Sequence, residues 1–332
     1  MKAVSHSNYG APDVLEMQEM AAPTIGEGEV LIQVAAGAVT QGDRRLRSSD
    51  FPGVTLILGR MMFGLMRPKH KIPGTVFAGR VTAIAAGVNR FSVGDDVFGV
   101  AMNGAQAEYL CMPADGNLAL MPEGVDYAEA AAIPYGAGTA LSFLRDHGKI
   151  ERGQRVLIVG AAGGVGLYAV QLARHFGADV TAVCGRRSFE LVRELGADHV
   201  IDYHSHDFTA DEHRYDIIFD TPNATSFARC RSSLTPNGRY LSMHLGTGVL
   251  LQMLRTSILG GPRAIFAVSL GGAEIVEQVA ELVSLGAIRP VIDARFPLSQ
   301  IREAHEHLES ARSNGTLVLT VGSPSALALA AK

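Results

Sequence analysis

The chain has 332 residues, 47% of them hydrophobic and 19% charged, which is enough for two domains with a core in each. Its 29 basic and 33 acidic residues leave a net charge of -4, so composition gives no reason to expect nucleic acid as a partner. Three widely separated cysteines, Cys111, Cys184 and Cys230, argue against a disulfide framework and for inert thiols in a reducing compartment.

The opening residues lack the layout of a signal peptide, and a cytoplasmic protein is expected. From Met1 to Pro122 short apolar runs alternate with Gly, Pro and Asn punctuation. Glu29 to Ala36, Val76 to Ala85, Asp95 to Val100 and Ala107 to Met112 read as strands of a β-rich, barrel-like domain. The most apolar window, Val54 to Met66, is interrupted by Arg60 and too short to span a bilayer. It reads as a packing helix, with an apolar cleft or a subunit contact as alternatives. Helical character starts at Tyr127 to Ala132 and resumes after Pro134, through Thr139 to His147.

The next stretch, Gln154 to Arg187, reads as strand, glycine turn, helix and strand. Arg155 to Val159 is apolar, the chain turns through Gly160 to Gly166, and Val165, Tyr168, Leu172 and Phe176 follow at helical spacing. Such a turn leaves the first N–H groups of the helix unpaired at the positive end of its dipole, where a diphosphate binds. Ala161, Gly163, Gly164, Val165 and Gly166 are the residues expected to hold it, although Ala161 stands where the usual pattern has its first glycine. Gly163 would let backbone approach the phosphates, and Gly166 would let helix and strand pack closely.

An NAD site usually has an acid at the end of the second strand, on the ribose hydroxyl. Cys184 occupies that place, and Gly185, Arg186 and Arg187 follow it. Two guanidinium groups there suit a 2′-phosphate, so NADP(H) is the expected cofactor.

Further strands at His199–Asp202, Asp216–Asp220, Gly238–Met243 and Ala264–Val268 complete six, enough for two mononucleotide-binding halves on a parallel sheet. Ala273 to Leu285 and Ile301 to Leu308 read as helices, Val291 to Phe296 and Thr316 to Val321 as strands. The final SPSALALAAK reads as a frayed end.

The stretches YGAPDVLE, RPKHKIPGTVFAGRV, SVGDDVFG, VLIVGAAGGVG, ELVRELGADHVIDY and RPVIDARFPLSQIREAHEHLES resemble the medium-chain dehydrogenase/reductase superfamily, and more closely its zinc-independent quinone oxidoreductase branch. The resemblance implies an α/β protein with a GroES-like β-rich catalytic domain (1–122), a Rossmann doubly wound parallel sheet binding NADP (123–268), and a segment returning to the first domain (269–332). It also implies an active site in the cleft between domains and a homodimer. Zinc-dependent relatives hold a metal with cysteines and a histidine–glutamate pair. Here Thr40 and Gly74 to Gly79 stand at those positions, so no metal is expected. His204, His206 and His213 read as polar loop residues, and His305 and His307 as residues of a surface helix.

The reaction implied is hydride transfer from NADPH to a quinone or an α,β-unsaturated carbonyl. Alternatives are an alcohol or aldehyde dehydrogenase, and a non-catalytic NADPH-binding sensor. Thr40, Tyr135 and Arg44 are the candidate catalytic residues: Thr40 as a hydrogen-bond donor, Tyr135 as a proton donor or a packing residue, and Arg44, with Arg47, as a holder of substrate oxygen or a solvated cation. By the resemblance Thr139 lies near the nicotinamide side of the cofactor, its alternative being a helix N-terminal residue. Tyr203 lies near the adenine or 2′-phosphate. Phe266 and Val268 back the nicotinamide. Each of these three could equally be sheet core.

Overall fold

A computed structural model of the chain describes residues 1–51, 55–210, 215–269, 271–310 and 313–322. Val54, His213 and the closing residues 323–332 lie outside them. In chain order the first elements are β1 (Lys2–Ser5), β2 (Glu16–Glu19), β3 (Glu29–Val39), α1 (Gln41–Ser48), α2 (Thr55–Phe63), β4 (Val76–Ile84), β5 (Asp96–Val100), β6 (Tyr109–Pro113), β7 (Leu118–Leu120), α3 (Tyr127–Ala132) and α4 (Pro134–Leu141). Then come β8 (Arg155–Val159), α5 (Gly166–His175), β9 (Asp179–Cys184), α6 (Phe189–Glu194), β10 (His199–Asp202), β11 (Tyr215–Asp220), α7 (Phe227–Cys230), β12 (Leu234–Ser242), α8 (Thr247–Leu259) and β13 (Arg263–Phe266). The last are α9 (Ala273–Ser284), β14 (Ile292–Pro297), α10 (Ile301–Glu309) and β15 (Thr316–Thr320).

The described residues form two compact units. One holds residues 1–51, 56–135 and those from 271 onward; the other holds 136–269 with Thr55. The first unit is built on a seven-stranded sheet of order β14-β15-β3-β4-β5-β7, with β6 also on β3. The long strand β3 is its spine. It pairs antiparallel with β4 along its length, with β6 through Glu29–Gln33 and with β15 through Ala36–Val39. Val30, Ile32 and Val34 alternate into a core with Phe77, Val97 and Leu118, and β15 packs with α10 in a second core around Leu15, Val39 and Leu317. The first unit runs past the expected boundary at 122, to Tyr135, because the buried alanines of α3 pack on β3, β4, β5 and β15.

The second unit is a six-stranded parallel sheet of order β10-β9-β8-β11-β12-β13. That is the doubly wound order in which two mononucleotide-binding halves meet between β8 and β11. Four of the five residues of β8 are buried, as expected of a strand covered on both faces. The strand predicted at Ala264–Val268 ends at Phe266, which leaves Val268 exposed beyond the edge of the sheet.

Candidate active site

In the first unit, Thr40 ends β3 and caps α1. Its hydroxyl accepts from Asp43 N at 3.2 Å while Asp43 Oδ2 accepts from Thr40 N at 2.8 Å, a reciprocal capping box. The Thr40 hydroxyl donates its proton to the same oxygen at 2.6 Å, and Thr75 Oγ1 donates to Asp43 Oδ1 at 3.0 Å. Asp43 is buried, and burial raises its pKa against the opposing pull of these donors. The donor role predicted for Thr40 therefore meets a competing partner: its one hydroxyl proton is already held.

Tyr135, the second residue of α4, is half-buried with its ring over the first turn of α1. A Cβ at Gly42 would lie 3.2 Å from both Tyr135 Oη and Thr40 Oγ1. Burial, then the charge of Asp43, push the phenol above its ordinary pKa, so it stays protonated. Among the described residues no acceptor takes its proton.

Arg44 donates to Gln41 Oε1 at 3.0 Å and pairs with Asp50 at 3.0 Å on the outer side of α1. Arg47 is not a solvated arginine. It is 2% exposed and pairs with Glu309 of α10. His305, one turn back on α10, is likewise buried rather than on a surface. Burial, with the charge of Arg47, drives its pKa down to about 3. The expectation of a surface helix misplaced this histidine because α10 packs on β15, β14, β3 and the Pro12–Val14 turn, elements distant in sequence. His307, as expected nearer the surface, bonds Asp293 Oδ2 at 2.9 Å.

In the second unit, β8 leads into the glycine turn. Gly160 has φ +73, and a Cβ there would meet Pro222 and the Thr221 hydroxyl at 2.8 Å. At Gly166 a Cβ would lie 2.2 Å from Gly160 O and 2.8 Å from Ala161 Cα, so this close approach of helix to turn requires glycine. Ala161 is wholly buried; Gly164 faces open space. No side chain caps α5, and the N–H groups of Gly164, Val165 and Gly166 donate to no backbone carbonyl among the described residues. Gly136 packs against this turn, its Cβ position 2.3 Å from Gly164 O. Thr139 is buried three residues further along α4, well inside the helix rather than at its N-terminus.

What holds the loop beneath the turn was missed in the sequence. Asp220, at the end of β11 and beside Val159, is fully buried and accepts from Ala224 N and Thr225 N at 3.0 Å and from Tyr240 Oη at 2.7 Å. Thr221 Oγ1 donates to Val159 O at 3.0 Å. A buried acid at a strand end was the available signal.

At the far end of β9 the Cys184 thiol is buried and its pKa pushed up to about 11 by burial and then by Asp202, so it offers no charge. Gly185 follows, with Tyr203 Oη 3.6 Å from its Cβ position. Arg186 and Arg187 lie exposed in a single turn after it. The Arg186 side chain is 84% exposed, its nearest acid being Asp202 at 3.8 Å. Tyr203 is exposed and packs on His204 at 4.2 Å between ring centroids, so it is not sheet core. Phe266 ends β13, three strands from β8 on the opposite side of the turn, about 14 Å at normal strand spacing. The expected adenine-side and nicotinamide-side residues thus stand on opposite flanks of the turn.

Among the described residues no group of three or more His, Cys, Asp or Glu is placed to hold a metal ion. Thr40 and Thr75, where zinc-dependent relatives would have ligands, offer hydroxyls already bonded to Asp43. None of the described helices is long and apolar enough to cross a membrane.

The family described as "Alcohol dehydrogenase GroES-like domain" matches residues 26–123, and "Zinc-binding dehydrogenase" matches 195–319. A chloroplastic quinone-oxidoreductase, QR1, from Triphysaria versicolor is 31% identical over 96% of this chain and 98% of its own length. The chain belongs to the medium-chain dehydrogenase/reductase superfamily, in its quinone-oxidoreductase-like branch. A chloroplastic NADPH-dependent alkenal/one oxidoreductase from Arabidopsis thaliana is 29% identical over 96% of this chain and 79% of its own. The quinone oxidoreductase of Coxiella burnetii superposes with a TM-score of 0.86 at 28% identity, over 97% of this chain and 99% of that one.

Proposed function

We propose that this protein is an NADPH-dependent reductase of quinones or α,β-unsaturated carbonyls, with Tyr135 as its proton donor. The observation that carries the chemical assignment is the protonated, half-buried Tyr135 hydroxyl with no acceptor of its own. The names of the relatives support the substrate class and the cofactor.

The residues fit NADPH: unpaired N–H groups at the start of α5 for the diphosphate, an uncharged Cys184 where an acid would repel a 2′-phosphate, and Arg186 and Arg187 to bind it. The bound nicotinamide supplies a hydride to the substrate carbon. Tyr135 hydrogen-bonds the substrate oxygen and gives up its proton as negative charge gathers there. Asp43, locked by Thr40 and Thr75, holds the first turn of α1 under the phenol.

The protein is further proposed to work as a homodimer in the cytoplasm. Leu251, Leu254, Ile258 and Leu259 on the exposed side of α8, which packs on the edge strand β13, support the first, and three free thiols the second. NADPH oxidation with a panel of quinones, enones and simple alcohols tests the activity. Turnover confined to alcohols, or tight NADPH binding without turnover, overturns it.

A further inference from the structure

The apolar segment predicted as a packing helix is not packed on its outer side. One face of α2 is anchored to the first unit: Phe63 stacks on Phe51 at 5.9 Å, Arg60 Nε donates to Ser49 Oγ at 3.1 Å, and Tyr9 Oη donates to Gly64 O at 2.8 Å. Much of its other described surface faces solvent. Ile57 and Met62 are exposed, with Leu65 beyond them, and Met61 and Met66 are 72% and 86% exposed. An apolar surface of this kind marks a contact site.

Its charge is one-sided. From Phe51 to Gly94 the chain holds no Asp or Glu, in a protein whose net charge is -4. Arg67, Lys69 and Lys71 directly follow the helix, all exposed, and none pairs with an acid among the described residues. Lys69 and Lys71 also line an open cavity of about 630 Å³, together with the exposed Met102.

We infer that α2 and the Arg67–Lys71 segment form a docking surface for an anionic lipid bilayer. Exposed methionine and aliphatic side chains enter the interface while the cations meet lipid phosphates and carboxylates. A second copy of this chain would bring the same cations against themselves, which disfavours it as the occupant. If the reductase reading holds, docking here brings the enzyme to the bilayer in which apolar quinones dissolve.

The full-length protein is to be floated with phosphatidylcholine vesicles, with and without phosphatidylserine, at low and high salt. Binding only to the phosphatidylserine vesicles, weakened by salt, is expected. The triple variant Arg67→Glu, Lys69→Glu, Lys71→Glu should bind at least roughly tenfold more weakly, and Met61→Gln with Met62→Gln should lose binding while keeping turnover of a water-soluble quinone. The surface assignment is overturned by absence of binding, by equal binding to both vesicles, by variants that bind as the parent does, or by a drop in sedimentation mass in the methionine variant. The vesicle-binding and sedimentation readouts do not require turnover, so loss of the reductase reading would leave them intact.

Discussion

Thr40 Oγ1 lies 2.6 Å from Asp43 Oδ2, and the proton between them closes a network that reaches Thr75, the residue just before β4. This pairing turns a residue at a prospective substrate-binding position into a clamp on α1, and leaves Tyr135 as the hydroxyl with a proton to give.

Tyr135→Phe should therefore lower kcat by about a hundredfold or more, the usual loss for a positioned general acid, with little change in NADPH affinity. Steady-state kinetics and a fluorescence titration with NADPH separate the two. A kcat within twofold or so of the parent would remove Tyr135 from the mechanism.

Thr40→Val should act chiefly on stability. Losing the capping hydroxyl costs about 1 kcal/mol, and the stranded Asp43 oxygen adds to it. Thr40→Ser should restore most of the loss. Urea unfolding measures this, and a Thr40→Val enzyme as inactive as Tyr135→Phe but fully stable would instead make Thr40 the substrate's donor.

Replacing both Arg186 and Arg187 with alanine should raise the Kd for NADPH by roughly tenfold to a hundredfold, the worth of one or two charge-assisted hydrogen bonds, and leave that for NADH nearly unchanged. Calorimetric titration with each cofactor decides it. Equal affinity for NADPH and NADH in the parent would contradict the assignment.

The glycine turn makes a paired prediction. Gly166→Ala must displace backbone, since its Cβ falls 2.2 Å from Gly160 O, whereas at Gly164 a Cβ meets nothing within 4 Å. The first variant should lose about 1–3 kcal/mol of stability and most of its NADPH binding. The second should stay near the parent in stability, so thermal unfolding with and without NADPH distinguishes them.

His305 sets an acid limit. Its ordinary pKa of 6.5 falls to about 3 in the fold, so the unfolded chain binds the extra proton first. Stability should be whole above about pH 6.5 and fall below it, by roughly 1.4 kcal/mol per pH unit from this group, until the folded pKa near 3. The lowered pKa of His6 acts in the same direction, and the raised pKa of Asp43 opposes it. Chemical denaturation from pH 7.5 down to 4.5 should show the slope, and His305→Gln should flatten it.

Several expectations held because their physics is local. The β8–α5–β9 unit was legible from a change of hydrophobic period and a run of glycines, both properties of neighbouring residues. The place of Arg186 and Arg187 just past β9 was legible because strand length fixes where the chain emerges from the sheet, while their binding of a 2′-phosphate is our proposal. The burial of His305 and Arg47 was not: the partner of Arg47 is 262 positions away, and helical periodicity on α10 does not report which strands and helices cover it.

The sequence by itself determined the parallel sheet, the glycine turn with its close packing at Gly166, the absence of an acid after β9, and the family. Tertiary structure alone decided which hydroxyl keeps a free proton, since Thr40 donates its own to a carboxylate that Thr75, just before β4, holds in place. It decided also that α2 faces solvent. Hydrophobicity measures what a segment would gain by burial, and only the packing of distant elements determines whether anything in the chain is there to bury it.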